Sequence, residues 1–206
     1  MTLQANDLKM AVEAAIFGSD APLSVKQLVS LFSDDETCAT ELRVAVADAI
    51  TVLQGESASR GVELVEVASG FRYQVKSEHV LWIRRLQSRR PPRFSRALLE
   101  TLAIIAYQQP VTRARIAEIR GVEASYRIMR TLMDRGWVRE VGRLDAPGSP
   151  VLFSTTPAFL DYFSLRSLQE LPQLAELEEI DVPDLESMGT KEQFEGAGES
   201  ASLANE

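Results

Sequence analysis

The sequence predicts a mainly α chain with small β-hairpins, an α+β fold of tandem winged-helix domains followed by a disordered acidic C-terminal tail. Three observations carry this expectation. Phe94–Val122 joins a strongly apolar helical run, a Gln-Gln-Pro break and a capped second helix, which is how a helix-turn-helix opens. Three helical patterns followed by two β-rich runs occur twice along the chain. Beyond about residue 170 the composition turns acidic and poor in aromatics, which leaves too little apolar surface to offset the entropy of ordering.

In the first unit, Leu8, Val12, Ala15 and Ile16 mark one face of a helix. Gly18 to Pro22 ends it. Ser24 and Gln27 have the spacing of a capping box and open a short second helix through Phe32. Ser33-Asp34-Asp35-Glu36 caps a third, whose stripe is Leu42, Val46, Ala49, Ile50 and Leu53, and Gly55 to Gly61 stops it. Two β-rich runs follow, Val62–Val67 and Phe71–Val75, joined by Ala68-Ser69-Gly70. Phe71, Tyr73 and Val75 alternate with Arg72, Gln74 and Lys76, the pattern of a strand with one covered face. A helix over about 77–87 then meets Ser88-Arg89-Arg90-Pro91-Pro92-Arg93, where the prolines stop it.

The second unit repeats the plan, with helices over about 95–107, 112–119 and 123–135 and strands over about 137–142 and 150–155. Ser95 and Thr112 are the N-caps. Asp145-Ala146-Pro147-Gly148 turns the hairpin, and Thr155-Thr156-Pro157 starts a last helix whose Phe159, Leu160, Tyr162 and Phe163 pack back on this unit. The expected division is a first winged helix with its trailing helix at 1–87, an Arg/Pro linker at 88–94, a second winged helix at 95–172 and the tail at 173–206. The helix at 95–107 is apolar nearly all the way round, as in a helix buried in a core. Leu98, Leu102, Ile105 and Ala106 form one stripe, which leaves Leu99, Ala103, Ile104 and Tyr107 to meet a partner or a neighbouring element.

The net charge of -8 is unevenly spread. Residues 1–83 carry 6 basic and 12 acidic groups, whereas residues 84–143 carry 14 arginines against 5 acids. Residues 170–206 carry 1 lysine against 11 acids. Arg84, Arg85, Arg89, Arg90, Arg93 and Arg96 fall close together with no acid among them. Such a cluster binds phosphates by counterion release, or contacts an acidic partner; Arg89, Arg90 and Arg93 are the candidates for weak nonspecific DNA contact.

On the third helix of the second unit, Val122, Tyr126, Ile128, Met129, Leu132 and Met133 share one face. Glu123 with Arg127 and Arg130 with Asp134 have i,i+4 spacing on the other, which favours a solvated charged face over a DNA-reading one. A tandem winged-helix transcription regulator is the alternative function. No phosphate-cradling glycine loop, metal-ligand spacing or nucleophile signature occurs, and His79 is the one histidine. No catalytic residue, cofactor or metal is therefore expected. A single cysteine, Cys38, fits a reducing cytoplasm, and neither a signal pattern nor an apolar run of membrane-spanning length is present.

ALLETLAIIAYQQPVTRARIAEIRGV at Ala97–Val122 resembles the segregation and condensation protein B family. So do GVELVEVASGFRYQV at Gly61–Val75 and RTLMDRGWVREVGRLDAPGSPVLFSTTPAFLDYFSLRSLQELP at Arg130–Pro172. The likeness covers about residues 8–172; Glu123–Ile128 departs from the family's small polar segment followed by Val-Leu. The resemblance implies a non-enzymatic subunit of the bacterial SMC–kleisin condensin, acting in chromosome condensation and segregation during cell division. Two copies would pair, mainly through the first winged helix. They would clasp the central segment of the kleisin, segregation and condensation protein A, which bridges the heads of the SMC ATPase. A cytoplasmic, nucleoid-associated homodimer with no membrane contact is implied. The candidate kleisin contacts are then Leu99, Ala103, Ile104 and Tyr107, and the candidate dimer contacts Ile16, Phe17, Phe71 and Tyr73.

Overall fold

The computed structural model describes residues 4–32, 39–86, 94–123 and 125–173. The expected cap at 33–36, Cys38, the Arg/Pro linker with Arg89, Arg90 and Arg93, and the tail from residue 174 lie outside them. Helices joined to small antiparallel sheets build two separate hydrophobic cores, in the α+β class the sequence predicts.

The first core lies among α1 (Ala5–Gly18), α2 (Val25–Phe32), α3 (Ala39–Ser57) and the hairpin of β1 (Val62–Val67) and β2 (Gly70–Val75). Leu8, Val12 and Ile16 face inward at one-turn spacing along α1, and meet Leu28 of α2 and Val46, Ile50 and Leu53 of α3. The capping box forms as expected: Gln27 N–H donates to Ser24 Oγ at 3.3 Å, and Ser24 N–H donates to Gln27 Oε1 at 2.9 Å. α3 runs past Gly55 to Ser57, further than the sequence suggests. One exposed glycine costs a helix only about 1 kcal/mol, and the burial of Leu53 and Ser57 on either side outweighs it.

β1 and β2 pair antiparallel from Val62↔Val75 to Val67↔Gly70. Leu23 adds a bridge on the outer side, exchanging both backbone bonds with Phe71 at 3.0 and 2.9 Å. Phe71 and Tyr73 pack against the first core, as the alternation predicts, and every residue of β2 is half-buried. Its polar side is covered by the chain around residues 161–165, where Arg72 Nη2 donates to Ser164 Oγ at 3.0 Å. A 3-10 turn at Ser77–His79 leads into α4 (Val80–Leu86), which exposes Leu81, Trp82 and Leu86.

The second core gathers α5 (Arg96–Gln108), β3 (Val111–Thr112), α6 (Arg113–Arg120), α7 (Tyr126–Asp134), β4 (Val138–Arg143), β5 (Val151–Thr155) and α8 (Pro157–Tyr162). Ser95 caps α5 by accepting from Leu98 N–H, Thr112 caps α6 by accepting from Arg115 N–H, and Thr156 caps α8 by accepting from Phe159 N–H. The sheet order is β3-β5-β4. β3, two residues long, is not anticipated by the sequence.

α7 starts at Tyr126, later than expected, with Ser125 as its cap. Glu123 therefore precedes the helix, and its spacing to Arg127 is not a helical one. Arg130 and Asp134 do approach, at 3.7 Å on an exposed face. Met129 and Leu132 are buried as the wheel predicts, but Val122 is 58% and Tyr126 65% exposed. Val122 lies in the turn before α7, where the wheel does not apply, and Tyr126 stands on the helix's first turn. Among the described residues no helix is long and apolar enough to cross a membrane.

Candidate functional site

α5 divides its apolar residues between two faces. Leu98, Leu102, Ile105 and Ala106 are buried in the second core, together with Thr101, whose Oγ1 donates to Ala97 O at 2.8 Å. Leu99, Ala103 and Tyr107 then follow at one-turn spacing along an adjoining shoulder. Opposite this shoulder stands a wall made by Phe159, Phe163, Leu165 and Leu171. Between them runs an open groove of about 300 Å³ whose floor is Leu102 and Ala106. Among the described residues no charged side chain lines it.

The wall is held by local structure. Pro157 stands in the first turn of α8, where its missing N–H costs nothing. Trp137 is buried against Tyr162 at 4.5 Å and Phe163 at 5.6 Å, and Phe159 meets Phe163 at 5.0 Å between ring centroids. Ser164 takes a positive φ of 58°, which turns the chain so that Leu165 N–H donates to Leu160 O at 2.9 Å. Beyond it, Arg166 N–H donates to Glu170 Oε2 at 2.8 Å. This backbone bond, reinforced by the Arg166 side chain, holds the Glu170 carboxyl below its ordinary value.

Three of the four expected kleisin contacts, Leu99, Ala103 and Tyr107, come together in this groove. Ile104 does not line it; it lies partly buried against the second core. Sequence reasoning missed Leu165 and Leu171, because the turn at Ser164 that brings them round carries no glycine to mark it.

The expected dimer contacts separate more sharply. Ile16 is a correction: only 3% exposed, it belongs to the first core and has no free surface to offer. A helix turns each successive residue by about 100°, so its neighbour Phe17 is 74% exposed. Phe17 meets Tyr73 edge-on at 6.1 Å. Burial is the main cause raising the Tyr73 hydroxyl above its ordinary pKa. Phe71 sits on the Leu23 bridge, half-buried against the first core.

Of the arginines on α7 and just after it, Arg127 is exposed and two have contacts. Arg130 faces Asp134, and the Arg135 guanidinium lies over Phe94 at 4.7 Å and Trp137 at 5.3 Å. A second groove of about 320 Å³ lies beside α6, α7 and β5, lined by Met129, Met133 and Phe153 with Arg113, Tyr126 and Glu140. Among the described residues no three His, Cys, Asp or Glu side chains stand together as a metal site.

The family model described as segregation and condensation complex subunit ScpB matches residues 10–174. The chain belongs to the ScpB family. It is 43% identical to the segregation and condensation protein B homolog of Coxiella burnetii, over 87% of this chain and 82% of that protein. The crystal structure of ScpB from Mycobacterium tuberculosis is 34% identical, covering 80% of this chain and 99% of that one, with a TM-score of 0.36. A dimer of an ScpB N-terminal domain complexed with an ScpA peptide is 26% identical, covering 41% of this chain and 92% of that one, with a TM-score of 0.32. Membership makes the chain a subunit of a segregation and condensation complex.

Proposed function

We propose that this ScpB-family subunit acts without catalysing a reaction, and that its α5–α8 groove receives an apolar segment of the kleisin ScpA. The observation that carries the reading is the groove itself. Leu99, Ala103 and Tyr107 stand at one-turn spacing opposite an aromatic and aliphatic wall, and the described residues leave the space between them open. An apolar cleft of this size suits one or two anchor side chains of a partner segment, the usual centre of a protein interface.

Family membership supports the following reading of the rest of the assembly. Residues 1–87 and 95–172 act as two domains, the first pairing two copies and the second holding the groove. Phe17 and Tyr73 form the patch on the first domain best placed to meet a second copy. The SMC ATPase is reached through the kleisin, in the cytoplasm at the nucleoid. Arg89, Arg90 and Arg93 add weak, salt-sensitive and sequence-independent contact with DNA. A sequence-reading regulator is disfavoured, because the chain belongs to a family of segregation and condensation complex subunits.

The test is Leu99→Asp, measured by titration with ScpA and by light scattering after size exclusion. Losing one apolar contact of about 1.5–3 kcal/mol, and setting a carboxylate in an apolar cleft, predicts at least a tenfold loss of affinity, roughly. The helical circular dichroism should persist. Ala103→Glu, at an exposed position on the same shoulder, gives a second variant with little demand on the core. Wild-type affinity in both folded variants would overturn the assignment of the groove.

A further inference from the structure

Five hydrogen bonds join the first hairpin to the end of α8, although the two lie some ninety residues apart in sequence. The Ser69 N–H and Oγ–H both donate to the Asp161 carboxylate, at 2.9 Å to Oδ1 and 2.6 Å to Oδ2. Ala68 N–H donates to Leu165 O at 3.0 Å. Arg72 Nη2 donates to Ser164 Oγ at 3.0 Å, and the Ser164 hydroxyl donates onward to Gln74 Oε1 at 3.3 Å. Every acceptor or donor on the α8 side falls between Asp161 and Leu165, the stretch that also contributes Phe163 and Leu165 to the groove wall.

One feature of that stretch lacks a local reason. A carboxylate in the last turn of a helix faces the negative end of the helix dipole, and α8 already has its N-terminal cap in Thr156. The φ of 58° at Ser164 closes the helix locally, through Ser164 N–H to Asp161 O at 3.2 Å and Leu165 N–H to Leu160 O at 2.9 Å, and the hairpin adds to that turn. The carboxylate is accounted for by the hairpin. Ser69 supplies two donors to the carboxylate, and Arg72 and Gln74 hold the Ser164 hydroxyl from either side.

We infer that the tip of the first winged helix is a positioning element for the groove of the second, with Ser69, Arg72, Asp161 and Ser164 holding the wall that carries Phe163 and Leu165. This rests on the groove being the ScpA site. The wall stands at its distance from Leu99 and Tyr107 only while the hairpin is docked. An occupant that fits the docked groove therefore stabilises the contact between the two winged helices, and the docked contact tightens the occupant to the same degree.

The decisive measurement is hydrogen–deuterium exchange on the full chain, comparing wild type with Ser69→Ala/Arg72→Ala, both changes lying in the first winged helix. Backbone amides of residues 160–171, in the second, should exchange faster in the variant. Unchanged protection there in a folded variant overturns the inference, whatever binds in the groove. ScpA titration then separates the two readings. Ser69→Ala/Arg72→Ala should weaken binding about tenfold, the loss expected of one charge-assisted contact. Unchanged affinity in that variant, with Leu99→Asp still impaired, refutes the positioning role and keeps the groove. Full affinity in Leu99→Asp refutes the groove while the exchange data still decide whether the hairpin holds the wall.

Discussion

Replacing Gly70 by alanine should be among the most damaging single-methyl changes in the molecule. Gly70 has φ of 139°, a conformation that side chains other than hydrogen rarely adopt. A Cβ built there would lie 2.3 Å from both the carbonyl carbon and the oxygen of Leu23, and 2.5 Å from Ser24 N. These are backbone atoms, so no rotamer change relieves the clash. Either β2 leaves Leu23 or residue 70 changes conformation. The backbone strain costs about 1–3 kcal/mol. Losing the two Leu23–Phe71 hydrogen bonds adds about 0.5–1.5 kcal/mol each. The sum, about 2–6 kcal/mol, is a large share of the roughly 5–15 kcal/mol that holds a typical protein folded. The assay is urea unfolding followed by circular dichroism, with Gly55→Ala as the matched control. Gly55 lies in α3 with nothing within 4 Å of its would-be Cβ, so the same methyl there should stabilise by about 0.5–1 kcal/mol. A Gly70→Ala loss below about 1 kcal/mol, or a loss equal in sign and size at Gly55, would refute the steric reasoning.

Thr112→Ala should cost about 1 kcal/mol by leaving Arg115 N–H without its cap, read as a lowered urea midpoint; no shift would mean water replaces the hydroxyl freely. Acidification should weaken the fold through Glu56 and Glu170. The Lys9 ammonium, at 2.6 Å, is the main cause holding the Glu56 carboxyl below its ordinary 4.5, and the Arg166 backbone and side chain do the same for Glu170. A folded value lower than the unfolded one gives stability that is present above the unfolded pKa and lost as pH falls through the folded one. The urea midpoint should therefore hold steady near neutrality and fall below pH 4.5, with a shallower fall in Glu56→Gln; equal slopes in the two proteins would refute the assignment.

What the sequence revealed was mostly what is local. Ser24 with Gln27, Ser95, Thr112 and Thr156 all cap the helices they precede, because a cap needs only residues three positions apart. The inward stripes of α1, α3 and α5 were legible because a helix repeats every 3.6 residues. The same periodicity places Ile16 inside, so offering it as a dimer contact ignored its own stripe. The failures are long-range. β3 exists only because β5 pairs with Val111 and Thr112. The polar side of β2 is covered because Ser164 reaches Arg72 and Gln74 from the far end of the fold. Half of the groove was visible as surplus apolar residues on α5. Leu165 and Leu171 were not, since a serine rather than a glycine makes the turn that delivers them.

The choice between a protein partner and DNA comes down to which surface around the second core is free, and salt reads that directly. In a DNA-reading winged helix the third helix offers unengaged donors to the groove and phosphates. Here Arg130 meets Asp134 and Arg135 is stacked on Phe94 and Trp137, which leaves Arg127 as the exposed arginine of α7. Of the open grooves, the cleft between α5 and α8 is lined by no charged side chain among the described residues, whereas the one beside α6 and α7 includes Arg113 and Glu140. Apolar contact is nearly indifferent to ionic strength, whereas neutralising six to ten phosphates costs about a thousandfold or more in affinity between roughly 50 and 200 mM salt. ScpA binding to this chain should therefore change by less than about threefold over that range, while DNA retention by the full chain should collapse. A steep loss of ScpA affinity with salt would show that charge, carried by the arginines outside the cleft, does the binding. The groove would then be a by-product of packing α8 against α5 rather than the place where the partner sits.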